Sequence, residues 1–381
     1  MDHITALLRD APVPGAVALA VNRDGTLFET AAGVRDLSGD APMTTDTIVW
    51  IASMTKAIVS VAAMQLVEQG RLQLDAPVAA VVPALAAPLV LDGFDAGGAP
   101  VLRPARTVMT LRHLLTHTAG YGYYFWNPDL NRTGLPRIPA SFEEVTRTPL
   151  LFDPGTRWTY GINTDILGLA VEAASGQTLD ACLRDQVLGP LGMHDTAFLL
   201  TPGQRARLAR MHRRGGDGIL RPIDWPVGEG QGFTGGGGGL CGTARDYGRF
   251  LRMLLNGGIF DGTRLLRAET VAEMGRNQIG DLLVHTLVSA APKLSNDANL
   301  FPGMAQKWGL GFLLNTEQGP HGRSANSMAW AGLGNCYYWI DPARGLAGCL
   351  LTQVLPFADA PALALFGAVE RAVYAMAEPA L

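Results

Sequence analysis

The stretch Trp50-Ile51-Ala52-Ser53-Met54-Thr55-Lys56 runs straight into Ala57-Ile58-Val59-Ser60-Val61-Ala62-Ala63-Met64 and on to Gln69-Gly70. From Ser53 to Gln69 it reads as a helix with hardly a polar face, and a helix that apolar is buried. Gly70 supplies its stop. Ser53 and Lys56 stand three apart at its start, on one face and about one turn apart. The lysine amine can therefore reach the serine hydroxyl. Serine is a poor nucleophile until a base accepts its proton. An amine among apolar neighbours loses hydration, which disfavours its charged form and makes it a usable base. The start of the helix also offers unpaired N–H groups to a developing oxyanion. With three Lys and nine Ser in 381 residues, an S-x-x-K match arises by chance roughly 0.07 times per chain, so the motif carries information but needs support.

Two further constellations supply it. Trp158-Thr159-Tyr160-Gly161-Ile162-Asn163 follows the turn Asp153-Pro154-Gly155 and precedes an apolar helix. A tyrosine fixed at such a junction can shuttle a proton between nucleophile and leaving group, although a lone Tyr160 reads equally as a packing aromatic. Trp330-Ala331-Gly332-Leu333 enters a strand pair near the C-terminus. Small residues there allow a substrate to approach the strand backbone, and a strand N–H beside Ser53 can complete an oxyanion hole. His113 and His117 have the i, i+4 spacing of zinc ligands, but the HLLTH run lacks the glutamate of H-E-x-x-H; we read both as helix-end histidines. Gly235 to Gly239 lacks the ending of a phosphate-binding loop and reads as a tight loop near the site. Tyr121, Tyr123, Tyr124, Phe125 and Trp126 either line an acyl pocket or pack. No G-x-S-x-G elbow is present.

The surrounding chain frames these motifs. Gly15 to Val21 and Thr26 to Val34 form a hairpin across Asn22-Arg23-Asp24-Gly25. Helical pieces follow at Thr110 to Thr116, Asn163 to Ala174 and Leu179 to Gln186, and another starts at Thr243 as N-cap with Asp246 in its first turn. Asn335 to Ile340 and Leu346 to Val354 are strand-like, and Pro361 to Met376 is a last helix. Strands at both ends with helices between predict an α+β fold: an antiparallel sheet flanked by helices, built from 1–75 and 235–381, with a mainly helical domain, 76–234, inserted. The apolar fraction of 48% supports a large core, while 17% charge and a net charge of −4 argue against disorder and against a nucleic-acid surface. The N-terminus has no basic start followed by an apolar run, and the most apolar stretch, Pro77 to Leu91, is too short and proline-broken to span a bilayer. Cysteines 182, 241, 336 and 349 show no C-x-x-C spacing. We expect buried thiols, a cytoplasmic protein, no membrane partner, and neither metal nor cofactor.

Together the three constellations resemble the serine β-lactamase/penicillin-binding superfamily, and within it the β-lactamase-like esterases called family VIII carboxylesterases. The likeness runs over nearly the whole chain through WIASMTK (50–56), LRHLLTHTAG (111–120), FDPGTRWTYGINTDILG (152–168), GGGGLCGTARDYGRFLRMLLNGG (236–258) and WAGLGNCYYWIDP (330–342). The resemblance implies a β-lactamase/transpeptidase-like fold with its site in a groove between the two parts. It implies Ser53 as the acylated serine, Lys56 and Tyr160 as its proton-handling partners, and the backbone N–H groups of Ser53 and Leu333 as the oxyanion hole. We take Trp330, Ala331, Gly332, Tyr123 and Asn163 as substrate-binding. Two departures stand out: Ile162 occupies the Asn place two after Tyr160, with Asn163 one later, and Trp330 replaces the lysine of the K-T-G strand. Both point toward a carboxylesterase acting on small or short-chain esters. The alternatives are β-lactam, D-peptide or amide hydrolysis, acyl transfer, a non-turnover penicillin-binding-like protein, and a metal hydrolase using His113 and His117.

Overall fold

In the computed structural model, which describes residues 2–134, 141–229 and 234–377, Gly15–Asn22 (β1) and Thr26–Gly33 (β2) form the expected hairpin. Its turn is closed by Asn22, whose Oδ1 accepts the N–H groups of Asp24 and Gly25 at 3.0 and 2.8 Å. Five strands come from the C-terminal part: Gln306–Trp308 (β3), Leu313–Asn315 (β4), Met328–Gly332 (β5), Cys336–Asp341 (β6) and Leu346–Leu351 (β7). They join the hairpin in one antiparallel sheet of order β3-β4-β5-β6-β7-β1-β2. The two ends of the chain meet inside it, with Leu19 of β1 opposite Cys349 of β7. The sheet and its flanking helices are the α+β architecture expected from the sequence.

Side-chain alternation sets the layers. On β6, Tyr338 points to Tyr247, ring centroids 5.2 Å apart. Its neighbours Tyr337 and Trp339 point the other way, to Phe366 at 4.9 and 5.7 Å. Of the helices that matter below, Asp2–Asp10 (α1), Thr55–Glu68 (α2), Leu111–Leu115 (α3), Asn163–Ser175 (α4), Ala244–Leu255 (α5) and Ala360–Ala377 (α6), α5 therefore covers one face and α6 the other. α5 is capped as expected: Thr243 Oγ1 accepts the Asp246 N–H at 3.2 Å. By length and composition α6 is apolar enough to cross a bilayer, yet Leu365, Phe366, Val369 and Val373 are buried in the core.

Four details differ from the sequence reading. α1, β3 and β4 were not anticipated. The run from Leu346 to Val354 breaks at Thr352-Gln353, because Thr352 Oγ1 turns to the carbonyls of Gly334 and Asn335 and Gln353 turns to Trp50. Residues 76–234 carry small hairpins, Leu89–Phe94 with Pro100–Pro104 and His212–Arg214 with Leu220–Pro222, besides helices. Finally, α2 begins at Thr55; Ser53 sits in the tight turn Ala52–Met54 that leads into it. All four cysteines are buried and unpaired.

One ion pair ties α6 to the loop before β5. Arg323 Nε and Nη2 donate to both carboxylate oxygens of Glu370 at 2.6 Å, and both side chains are buried. Removing one member leaves an uncompensated buried charge. Glu370→Gln should therefore cost about 3–5 kcal/mol in urea unfolding; a loss within error of zero would show that the pair carries no stability.

Candidate active site

The turn carrying Ser53 is clamped from three directions. Val49–Trp50 pairs with Cys241–Gly242, and the Ile51 N–H donates to Leu240 O at 3.1 Å. Gln353 brackets the main chain of Trp50, accepting its N–H and donating to its carbonyl, both at 3.1 Å. Thr55 Oγ1 donates to Ala52 O at 2.6 Å and accepts the Leu240 N–H at 3.2 Å, while Tyr247 OH donates to Met54 O. Ala52 is held at φ +46°, a left-handed conformation that costs a non-glycine residue of order 1 kcal/mol and persists only where surroundings impose it. The end of β5 presses on this turn. A Cβ on Gly332 would lie 2.3 Å from Ile51 O, so only glycine permits the approach. Ser53 and Leu333 thereby both reach the cavity wall, on two segments in contact.

Lys56 is buried and donates in three directions: to Ser53 Oγ at 3.3 Å, Tyr123 Oη at 3.0 Å and Gly237 O at 2.5 Å. Burial lowers its pKa to about 7, against the opposing pull of the Asp165 carboxylate. A neutral amine keeps two N–H groups and one lone pair. With Gly237 O and Tyr123 Oη taking the two hydrogens, the lone pair faces Ser53. Tyr160 completes the group. Its hydroxyl oxygen accepts the Trp330 indole N–H at 2.8 Å, and burial pushes its pKa well up against the opposing influence of the Ser53 and Trp330 side chains. The structure thus brings together Ser53, Lys56 and Tyr160, and gives Tyr123 a bond to the lysine beyond its expected place on the pocket wall.

Asn163 is the exception. Expected to bind substrate, it is fully buried and points away from the cavity: its Nδ2 donates to His117 Nδ1 at 2.9 Å and to Tyr121 O at 3.0 Å. As the first residue of α4 it braces the floor beneath Tyr160, whose ring lies 4.6 Å from the His117 ring. Burial, with the nearby Lys56 charge, holds His117 neutral. His113 is engaged elsewhere, its Nδ1 accepting the Thr110 N–H. The two histidines do not share a site, and among the described residues no cluster of three His, Cys, Asp or Glu side chains could hold a metal.

The cavity above Ser53 has a volume of about 440 Å³. Trp330, Ala331, Gly332 and Tyr123 line it, and so do Tyr124, Phe125 and Trp126. The sequence reading missed Trp50, Phe198, Trp225 and Asp165 on its wall. Asp165 lay in sight within the FDPGTRWTYGINTDILG run, in the first turn of α4; only the contact with the Gly235–Gly239 loop reveals its position. That loop reads correctly as lying at the site.

A serine hydroxyl facing a half-titrating amine, a tyrosine hydroxyl and an apolar cavity, on this sheet, define a β-lactamase-fold enzyme of the serine hydrolase/acyltransferase class. The chain belongs to the Beta-lactamase family, whose model matches residues 2–370. It is 32% identical to the ML-236A carboxylate methylbutanoyltransferase of Penicillium citrinum over 95% of this chain and 90% of that protein. It is also 32% identical to the lovastatin esterase of Penicillium rubens, over 92% of each. Among solved structures, unliganded simvastatin synthase from Aspergillus terreus superposes with a TM-score of 0.84 at 29% identity, over 98% of each chain.

Three outcomes are expected of this geometry. A fluorophosphonate probe should label the protein at Ser53, and Ser53→Ala should abolish turnover without unfolding; labelling at a different serine would overturn the assignment. Lys56→Ala and Tyr160→Phe should each lower kcat by about 100-fold or more, the double variant falling little further, because members of one proton-handling unit are non-additive. Since Lys56 must be neutral to accept a proton and is neutral only above its pKa, kcat/KM should climb from acidic to mildly alkaline pH with its limb near 7.

Proposed function

We propose that the protein is a carboxylic ester hydrolase that acts on small neutral esters through an acyl-enzyme on Ser53. The observation that carries this reading is the Lys56 amine, 3.3 Å from Ser53 Oγ and depressed to about 7. Lys56 takes the hydroxyl proton as Oγ attacks the ester carbonyl carbon. The carbonyl oxygen becomes an oxyanion facing the N–H groups of Ser53 and Leu333. Tyr160 passes a proton to the departing alkoxide and is replenished from the Lys56 ammonium. Ser53 is then esterified, the alcohol leaves, and the amine is neutral again. A water molecule enters, gives a proton back along the same route, and its oxygen displaces Ser53 from the acyl carbon.

An alcohol in place of that water makes the same site an acyltransferase. This second reading is favoured by the methylbutanoyltransferase named above and by the aromatic wall, an apolar surface on which an acceptor alcohol can pack. Supplying short alcohols with a p-nitrophenyl ester and measuring the ratio of new ester to free acid separates the two.

The wall also bears on substrate charge. Among the described lining residues, the ionisable side chains with a formal charge are Asp165 and Glu229, both acidic, and no arginine is present. Trp330 stands where a β-lactamase places a lysine, and its indole N–H is already committed to Tyr160. A carboxylate entering here forfeits a charge-assisted hydrogen bond of roughly 1.5–3 kcal/mol, or about a 10- to 100-fold handicap in rate. We therefore expect kcat/KM for p-nitrophenyl butyrate to exceed that for nitrocefin by at least that factor. Equal turnover of the two would overturn the preference for neutral esters.

A further inference from the structure

The Gly235–Gly239 loop lies on a carboxylate. Asp165, in the first turn of α4, accepts the Gly237 N–H at Oδ1, 2.9 Å away. The carbonyl of the same residue, Gly237, accepts Lys56 Nζ. A chain of two hydrogen bonds therefore runs from the carboxylate through one glycine to the amine that faces Ser53. The fit is tight: a Cβ on Gly237 would stand 2.3 Å from Asp165 Oδ2, and one on Gly235 2.8 Å from Oδ1. Bare backbone is thus pressed onto both carboxylate oxygens. Among the described ion pairs Asp165 has none. Burial pushes the Asp165 carboxyl up, and its charge is supported against that by Lys56 and the Gly237 N–H, with the N-terminus of the 13-residue helix α4 beside it.

We propose that Asp165 is a positioning residue for Lys56, holding the amine against Ser53 through Gly237 and presenting a carboxylate to it across that glycine. The proposal rests on the Ser53–Lys56 reading of the site. The groups that face this pair are few. Tyr123 and Tyr160 both feel the Asp165 charge, and burial together with that charge keeps both protonated. His117 is held neutral beneath Tyr160, and Glu229 lies on the same cavity wall. Lys56 is the cation among them. Burial lowers its pKa and the Asp165 charge opposes that shift. Without Asp165 the amine would lose its proton at lower pH and be a weaker base. With it, the amine titrates where proton transfer to and from serine is balanced.

Asp165→Asn separates charge from shape, since its amide oxygen still accepts the Gly237 N–H. The rate of fluorophosphonate labelling at Ser53, followed against pH, reads the amine without assuming any natural substrate. In the Asn variant the acid limb should move down by about one pH unit. Asp165→Ala should show the same shift and, having lost the acceptor for Gly237, at least about a 10-fold lower plateau rate. Asp165→Glu retains the charge and should keep the limb near that of the wild type whatever its plateau; thermal melts establish which variants are folded. An unmoved or raised limb in folded Asp165→Asn overturns the proposal. Failure of the parent protein to label at Ser53 overturns the nucleophile reading, and this proposal with it.

Discussion

Everything at the site follows from the burial of one amine. An ammonium taken out of water is unstable unless its hydrogens find acceptors, and Lys56 finds them on three separate parts of the chain: Ser53 on its own turn, Tyr123 after α3, and Gly237 in the glycine loop. Their sequence separation means that the amine is correctly solvated only when the whole fold has closed. The same burial that demands these partners brings the amine into a range where it can exchange a proton at neutral pH. Structure and reactivity are here two results of one desolvation.

What could be read in the sequence was what depends on near neighbours. The Ser53–Lys56 spacing is a property of one helical turn, and the Asn22–Gly25 turn and the Thr243 cap are equally local. The long-range sheet was legible too, because β1, β6 and β7 are long apolar runs. Strands β3 and β4 were not. Each has three residues, and β4 is buried on both faces, so neither shows the alternation that identifies a strand. Asn163 was misplaced because a residue at the head of a helix takes its direction from how the chain enters it, and here that direction is set by His117, 46 positions earlier. Asp165 was passed over because its surroundings come from Gly235 to Gly237, some 70 residues further on.

The aromatic side chains do two jobs in one continuous stack. His117, Trp158 and Trp308 lie beneath Tyr160, while Trp126, Tyr123 and Phe125 continue around it to the cavity. Rings have few rotatable bonds, so a wall made of them is stiff. It holds the ring of Tyr160, whose hydroxyl oxygen is anchored by the Trp330 indole N–H, and it leaves the substrate an apolar surface of fixed shape.

The indole of Trp330 has a consequence for how such enzymes diverge. Its ring centroid lies 4.7 Å from that of Tyr160, which in turn lies 4.8 Å from Lys56 Nζ. Putting a lysine at 330 would replace a rigid indole donor to Tyr160 with a flexible ammonium and bring a second cation toward Lys56, opposing protonation of the first. A gain in affinity for anionic substrates would come with a disturbed proton relay. A substitution at 330 therefore acts on the cavity wall and on the proton-handling group at once, so the two properties diverge together.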